Sequence, residues 1–145
     1  MSSLEFFFED IKPFSIQNNH IHKCVNSLII NELKESGDIT VIFCSDEYLL
    51  KINKQYLNHD YYTDIITFDY VDENIISGDL FISFDRIIDN AKQFDTELIR
   101  EVYRVVFHGI LHLVGYNDKT DDEQKLMTKK EKFYLSEVDF SGIEL

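Results

Sequence analysis

The stretch His108-Gly109-Ile110-Leu111-His112-Leu113-Val114-Gly115-Tyr116-Asn117-Asp118 constrains the chain more than any other. Two histidines four residues apart stack on one face of a helix, within reach of a single metal ion. Gly115 follows, and glycine can take the left-handed conformation that ends a helix and turns the chain back. Asp118 comes three residues later, returned by that turn as a third ligand. The pattern H-x-x-x-H-x-x-G-x-x-D therefore predicts His108, His112 and Asp118 around one ion, with a coordination position left open. Two histidines at this spacing on an apolar helix also occur as ordinary core or surface residues. The spaced glycine and the carboxylate shift the balance towards a metal site.

The spacing coincides with the extended zinc-protease pattern H-E-x-x-H-x-x-G-x-x-H except at two positions. Gly109 stands where a protease carries its catalytic glutamate, and Asp118 stands where the third histidine would be. A peptidase without that glutamate lacks the base that activates water for attack. The aspartate is the milder change, because carboxylates are ordinary zinc ligands and oxygen also suits harder ions. Protease is the weaker reading of the motif.

At 145 residues the chain reads as one domain, 1–145, large enough to bury a core without staples. Hydrophobic residues make up 44%, with 12 Phe and 8 Tyr, which argues against disorder. Cys24 and Cys44 form no C-x-x-C pair and sit in apolar runs. They read as reduced core residues of a cytosolic protein, a disulfide between them being the less expected alternative. Met1 to Asp10 has no basic start and no sustained apolar run, so no signal peptide is expected. No stretch approaches the ~18 apolar residues of a membrane span, and a cytoplasmic protein with no membrane partner is expected. The net charge of −13 argues by itself against nucleic-acid binding, since an acidic surface repels phosphate at long range. Lys125, Lys129, Lys130 and Lys132, and Arg86, Arg100 and Arg104, read as solvated helix faces.

Taken in order, Leu4–Phe8 predicts a strand and 15–36 a helix on Ile21, Val25, Leu28, Ile29 and Leu33, stopped by Gly37. His20 and His22, two apart near its start, read as surface residues. Ile39–Cys44 predicts a buried central strand, and Ser45 caps a helix to Leu57 with Leu49, Ile52 and Tyr56 inward. Asn58-His59-Asp60 is a turn, with His59 between elements that face a substrate. Ile65–Val71 and Gly78–Phe84 form a hairpin, with Ile66, Phe68 and Tyr70 on one side of its first strand. A short helix to Phe94 carries Ile87, Ile88 and Ala91. A strongly apolar helix then runs from Glu97 through both histidines to Gly115. Glu101 and Arg104 share the histidine strip and read as an ion pair, or as groups that support the ligands or face substrate. Thr120-Asp121-Asp122-Glu123 is a capping box for a helix with Leu126, Met127 and Phe133 inward, followed by a partly ordered tail. The fold class expected is α+β (mixed α/β): a small four-stranded sheet with helices packed on it, the metal site on a helix of the C-terminal half.

His108 to Asp118 resembles the signature H-G-x-L-H-L-x-G-Y-D-H of the YbeY family of endoribonucleases. His108, Gly109, Leu111, His112, Leu113, Gly115 and Tyr116 match it. Asn53, Tyr56, Asp60, Thr63, Asp64 and Phe68 match a second block, Gly78-Asp79-Leu80 a third, and Met127 and Glu131 fit the last helix. The resemblance implies a zincin-like site for one zinc ion held by His108, His112 and Asp118. It also implies single-strand-specific RNA cleavage in maturation of the 16S rRNA 3′ end, ribosome quality control, and the small ribosomal subunit with its factors as partners. Asp118 replaces the usual histidine and Asn117 the usual aspartate, so another divalent ion stays open beside zinc. Leu57 stands where the family commonly has an arginine linked to RNA contact or catalysis, and that role is not carried over. The resemblance assigns no general acid or base here. Two other classes remain: a ribosome-associated assembly factor with a structural metal, and a metal-dependent hydrolase of another substrate.

Overall fold

The computed structural model describes residues 2–61 and 63–145. Their order is β1 (Ser3–Phe8), α1 (Asn18–Asn31), β2 (Glu35–Cys44), α2 (Asp46–Leu57), β3 (Ile65–Asp69), β4 (Ile75–Ser83), α3 (Phe84–Gln93), α4 (Leu98–Val114) and α5 (Asp121–Ser136). The four strands form one sheet in the order β1-β2-β4-β3. β1, β2 and β4 run parallel, and β3 returns antiparallel along β4 to close the edge. The expected α+β class with a four-stranded sheet is what the chain adopts.

Three of the helices, α2, α3 and α5, start where side-chain oxygens are available to their first amides. Ser45 accepts from the Tyr48 amide, Ser83 from the Arg86 amide, and Thr120 and Glu123 complete the capping box of α5. The main core joins α1 and α4 to one face of the sheet through Ile21, Val25, Val41, Phe43, Leu80, Val106 and Ile110. A smaller cluster of Cys44, Leu49 and Ile66 gathers around α2. α4 is the central helix and is buried on nearly every turn from Ile99 to Leu113. It packs against β3, β4, α1, α3 and α5, so a site built on it is held by the whole core. Among the described residues, no helix is long and apolar enough to cross a membrane.

Several expectations are corrected. The first helix ends at Asn31, not 36, because Leu33 turns left-handed (φ 63) and stands 86% exposed. Its helical spacing loses to β2, which starts at Glu35 by pairing with β4. Gly37 lies inside that strand at a register shift, where a Cβ would come within 2.9 Å of the Ile76 carbonyl oxygen. β3 stops at Asp69, leaving Tyr70 exposed, and β4 begins earlier, at Ile75. Tyr56 is exposed while Asn53 is buried on α2. On α5, Met127 faces inward as expected, but Leu126 and Phe133 are exposed, and Glu131 and Tyr134 take the inner face. Polar partners across the interface set that rotation, as shown below.

The tail is packed rather than loose. Phe140 meets Tyr103 edge to face at 5.0 Å between ring centres, and the Arg100 guanidinium lies 4.5 Å from its centre. His20 is not a free surface residue either: Nε2 donates to the Asp139 carbonyl at 3.0 Å, so Nδ1 accepts from the Tyr103 hydroxyl at 2.7 Å. Both cysteines are free thiols, Cys44 fully buried and Cys24 half-buried.

Candidate metal centre

His108 and His112 lie on the face of α4 that turns from the core towards β3. One helical turn apart, their Nε2 atoms are 3.0 Å from each other. α4 ends in Gly115 at φ 125, a value that glycine adopts without strain. The Tyr116 amide then bonds back to the Leu111 carbonyl at 3.0 Å, the six-to-one closure of a Schellman turn. That turn brings Asp118 Oδ2 to 3.4 Å from each histidine Nε2. From the other side, Gln124 of α5 donates to the Asp118 carbonyl at 3.0 Å. Among the described residues these three form the one group of histidine, cysteine or acidic donors close enough to share an ion.

The donor set fits a divalent cation. Ligands at zinc distances on a tetrahedron lie about 3.3 Å from one another, and the three edges here are 3.0, 3.4 and 3.4 Å. The far ring nitrogens are already committed. His112 Nδ1 donates to the Tyr116 carbonyl at 2.9 Å, and His108 Nδ1 bonds Glu131 Oε2 at 2.6 Å. Both rings therefore aim the Nε2 lone pair inwards, beside a carboxylate. Three converging acceptors repel one another unless a cation or a proton sits between them. An ion needs no rearrangement there.

Behind His108 the charges continue inwards. Glu131 Oε1 accepts from Arg104 Nη1 at 2.9 Å, and Arg104 forks onto buried Glu101 at 2.8 and 2.6 Å. Arg104 is therefore no solvated surface cation, although Arg100 does pair with Glu97 at the surface. Arg86 also pairs, with Asp46 and Asp89. The expected Glu101–Arg104 pair forms, and it reaches the histidine through Glu131 rather than facing the cleft. Burial works against a charged His108 ring, but the Glu131 bond and the carboxylates of Glu131, Asp64 and Asp118 outweigh it and raise its pKa. Burial likewise works against ionised Glu131, yet His108 and Arg104 hold its pKa below the ordinary value.

The three donors open onto a cleft of about 420 Å³ between α4, β3 and the loop after α2. Its wall includes Leu57, His59, Tyr61 and Asp64, so His59 lies beside the site, as its place in the sequence implied. A larger hollow of about 640 Å³ lies between α1 and the tail, away from these donors. The protease comparison ends at Gly109. A Cβ there would come within 2.8 Å of Ile65 and Leu80, so that position faces the sheet and not the cleft. The direct role of Glu131 was invisible in spacing alone, since it comes from another helix. Its signals were the capping box, which fixes where α5 begins, and the fit of Glu131 to the last helix of the resembled family.

Residues 8–139 match the family described as Endoribonuclease YbeY. A Parabacteroides distasonis protein of that name is 46% identical over 134 residues, covering 92% of this chain and 94% of the relative. One from Phocaeicola vulgatus is 56% identical over 103 residues, covering 71% and 75%. The solution structure of TM1509 from Thermotoga maritima superposes with a TM-score of 0.67 at 27% identity, covering 93% of this chain and 88% of that one. The fold, the three converging donors and these relatives agree, and the chain belongs to the endoribonuclease YbeY family.

Proposed function

We propose that this chain, as a single hydrolase domain over 1–145, is a metal-dependent endoribonuclease that cuts single-stranded RNA in the cleft beside α4. His108, His112 and Asp118 hold one zinc ion, and the physiological setting is cytoplasmic maturation of the 16S rRNA 3′ end on or near the small ribosomal subunit. The observation that carries this reading is the convergence of three acceptor atoms, two of them on imidazole rings already fixed from behind. Two imidazoles and a carboxylate suit zinc. A divalent ion there supplies Lewis-acid polarisation of a phosphoryl oxygen and hydroxide near neutral pH.

The chain's own contribution is positional. Glu131 and the Tyr116 carbonyl keep the Nδ1 protons of the two rings in place and so hold their Nε2 atoms towards the cleft. Asp64 adds a carboxylate to the cleft lining, close enough to act on His108. The acidic cleft also favours a second reading, an assembly factor for ribosomal particles in which the metal is structural.

Metal content decides first. Mass spectrometry on protein purified without a histidine tag should find about one equivalent, absent from His112→Ala. Cleavage of an unstructured RNA by the native chain, lost in that variant while its fold persists, supports the enzyme. Metal bound without turnover of RNA, and a melting temperature that falls sharply on chelation, supports the assembly factor instead.

A further inference from the structure

The cleft must attract a polyanion on unfavourable electrostatic terms. The chain carries a net charge of −13. The cleft lining includes Asp64, Asp69 and Asp118 but no lysine or arginine among the described residues. Leu57 supplies an apolar side chain there instead of a cation. The nearby Lys54 is already paired, with Asp60 at 3.2 Å. Apart from an ion, binding energy has to come from contacts that carry no charge.

The same wall presents two aromatic rings. His59 and Tyr61 stack with centroids 5.1 Å apart and planes inclined by 21°, and the Tyr61 hydroxyl meets His59 Nδ1 at 3.0 Å. Tyr61 nevertheless remains 56% exposed, so the rings are not there to fill a core. Their loop is pinned at both. The Asn53 carbonyl accepts from the His59 amide at 3.1 Å, and the Asn53 side chain donates to the Tyr61 carbonyl at 2.9 Å. Asn53 itself is buried, and Asn58 makes the left-handed turn that ends α2. A buried side chain is spent on holding an exposed aromatic pair rigidly beside the metal donors. Preorganised rings of this kind lose little entropy on binding.

We propose that Tyr61, supported by His59, forms a stacking subsite for one unpaired nucleobase of the RNA strand on the cleft wall. This rests on the endoribonuclease reading and adds how the strand is held. Every base has a π face, so such a platform accepts single strands with little regard for sequence, and it excludes bases that are paired within a duplex.

The test is fluorescence anisotropy with the full chain and a cleavage-resistant 2′-O-methyl single strand. Tyr61→Ala should bind about tenfold more weakly, while Tyr61→Phe stays within about twofold of native. One abasic position in the oligonucleotide, found by scanning, should weaken native binding by the same factor and leave Tyr61→Ala unaffected. The salt dependence should be shallow, with a log–log slope of about −1 or less in magnitude, because few phosphates are neutralised. If native protein cleaves RNA but Tyr61→Ala binds as tightly, or abasic sites weaken both proteins equally, the subsite is overturned and the enzyme reading stands. If native protein neither binds nor cleaves RNA, the endoribonuclease reading falls and the subsite with it. Unchanged thermal melting of the exposed-ring variants separates either result from misfolding.

Discussion

Glu131 of α5 holds the Nδ1 proton of His108 of α4 across 2.6 Å, and its other oxygen takes Arg104 at 2.9 Å. One carboxylate therefore orients a metal donor and joins it to the Glu101–Arg104 pair inside the helix interface. Glu131→Gln keeps the shape but removes the charge. The expected result is a loss of about 10- to 100-fold in divalent-ion affinity with the fold retained, measured by competition with a chromophoric chelator. Unchanged affinity would reduce Glu131 to a helix-packing residue.

Glu32 supports the other histidine from further away. It accepts from the hydroxyls of Tyr116 and Tyr134 and from Lys130 Nζ, and the Tyr116 carbonyl in turn takes the His112 proton. Burial would raise the Glu32 pKa, but these donors outweigh it and hold it below its ordinary 4.5. A carboxylate held low stabilises the fold above its unfolded pKa, and that contribution disappears as pH falls through the lowered value. Glu32→Gln should therefore cost about 1–3 kcal/mol at pH 7 and clearly less near about pH 3.5. Urea denaturation at both pH values checks this. An equal cost at both would place the effect in packing.

Gly109 is required by contact with the sheet. Gly109→Ala gains about 1 kcal/mol of helix propensity but must push aside Ile65 and Leu80 at 2.8 Å, at about 1–3 kcal/mol. A lowered denaturation midpoint is expected. Gly109→Glu would restore the protease glutamate on paper, yet it forces a carboxylate against buried Leu80. That variant should fail to fold rather than cleave peptides, as circular dichroism and a casein assay would register.

Cys44 should be chemically silent. Burial, followed by the nearby carboxylates of Asp10, Asp46, Asp85 and Glu9, pushes its thiol up to about 12. Burial also raises Cys24, partly offset by Lys23. A thiol reagent near about pH 8 should label Cys24 slowly and Cys44 only on unfolding. Rapid labelling of both in native protein would mean that the sheet opens under α2.

What was legible in the sequence was local. Ser45 and Thr120 begin helices through bonds to amides three residues away, and His108, His112 and Gly115 form their site within little more than two turns. Pairings between distant segments were not legible. Leu33 kept the helical period, but β4 drew the chain into β2 two residues later. Leu126 and Phe133 were the apolar choices for the inner face of α5, and Glu131 and Tyr134 displaced them because His108, Arg104 and Glu32 were waiting across the interface. His20 and Phe140 looked peripheral until the tail folded back onto Tyr103.

The three donors differ in what holds them. His108 and His112 are part-buried on the core helix, their rings clamped from behind by Glu131 and the Tyr116 carbonyl. Asp118 follows the glycine turn, outside α4, with its side chain 41% exposed. The molecule thus separates a permanent socket from an exchangeable plug. On the proposed metal reading, a change of side chain at this one place alters the donor chemistry while the architecture of α4 stays as it is.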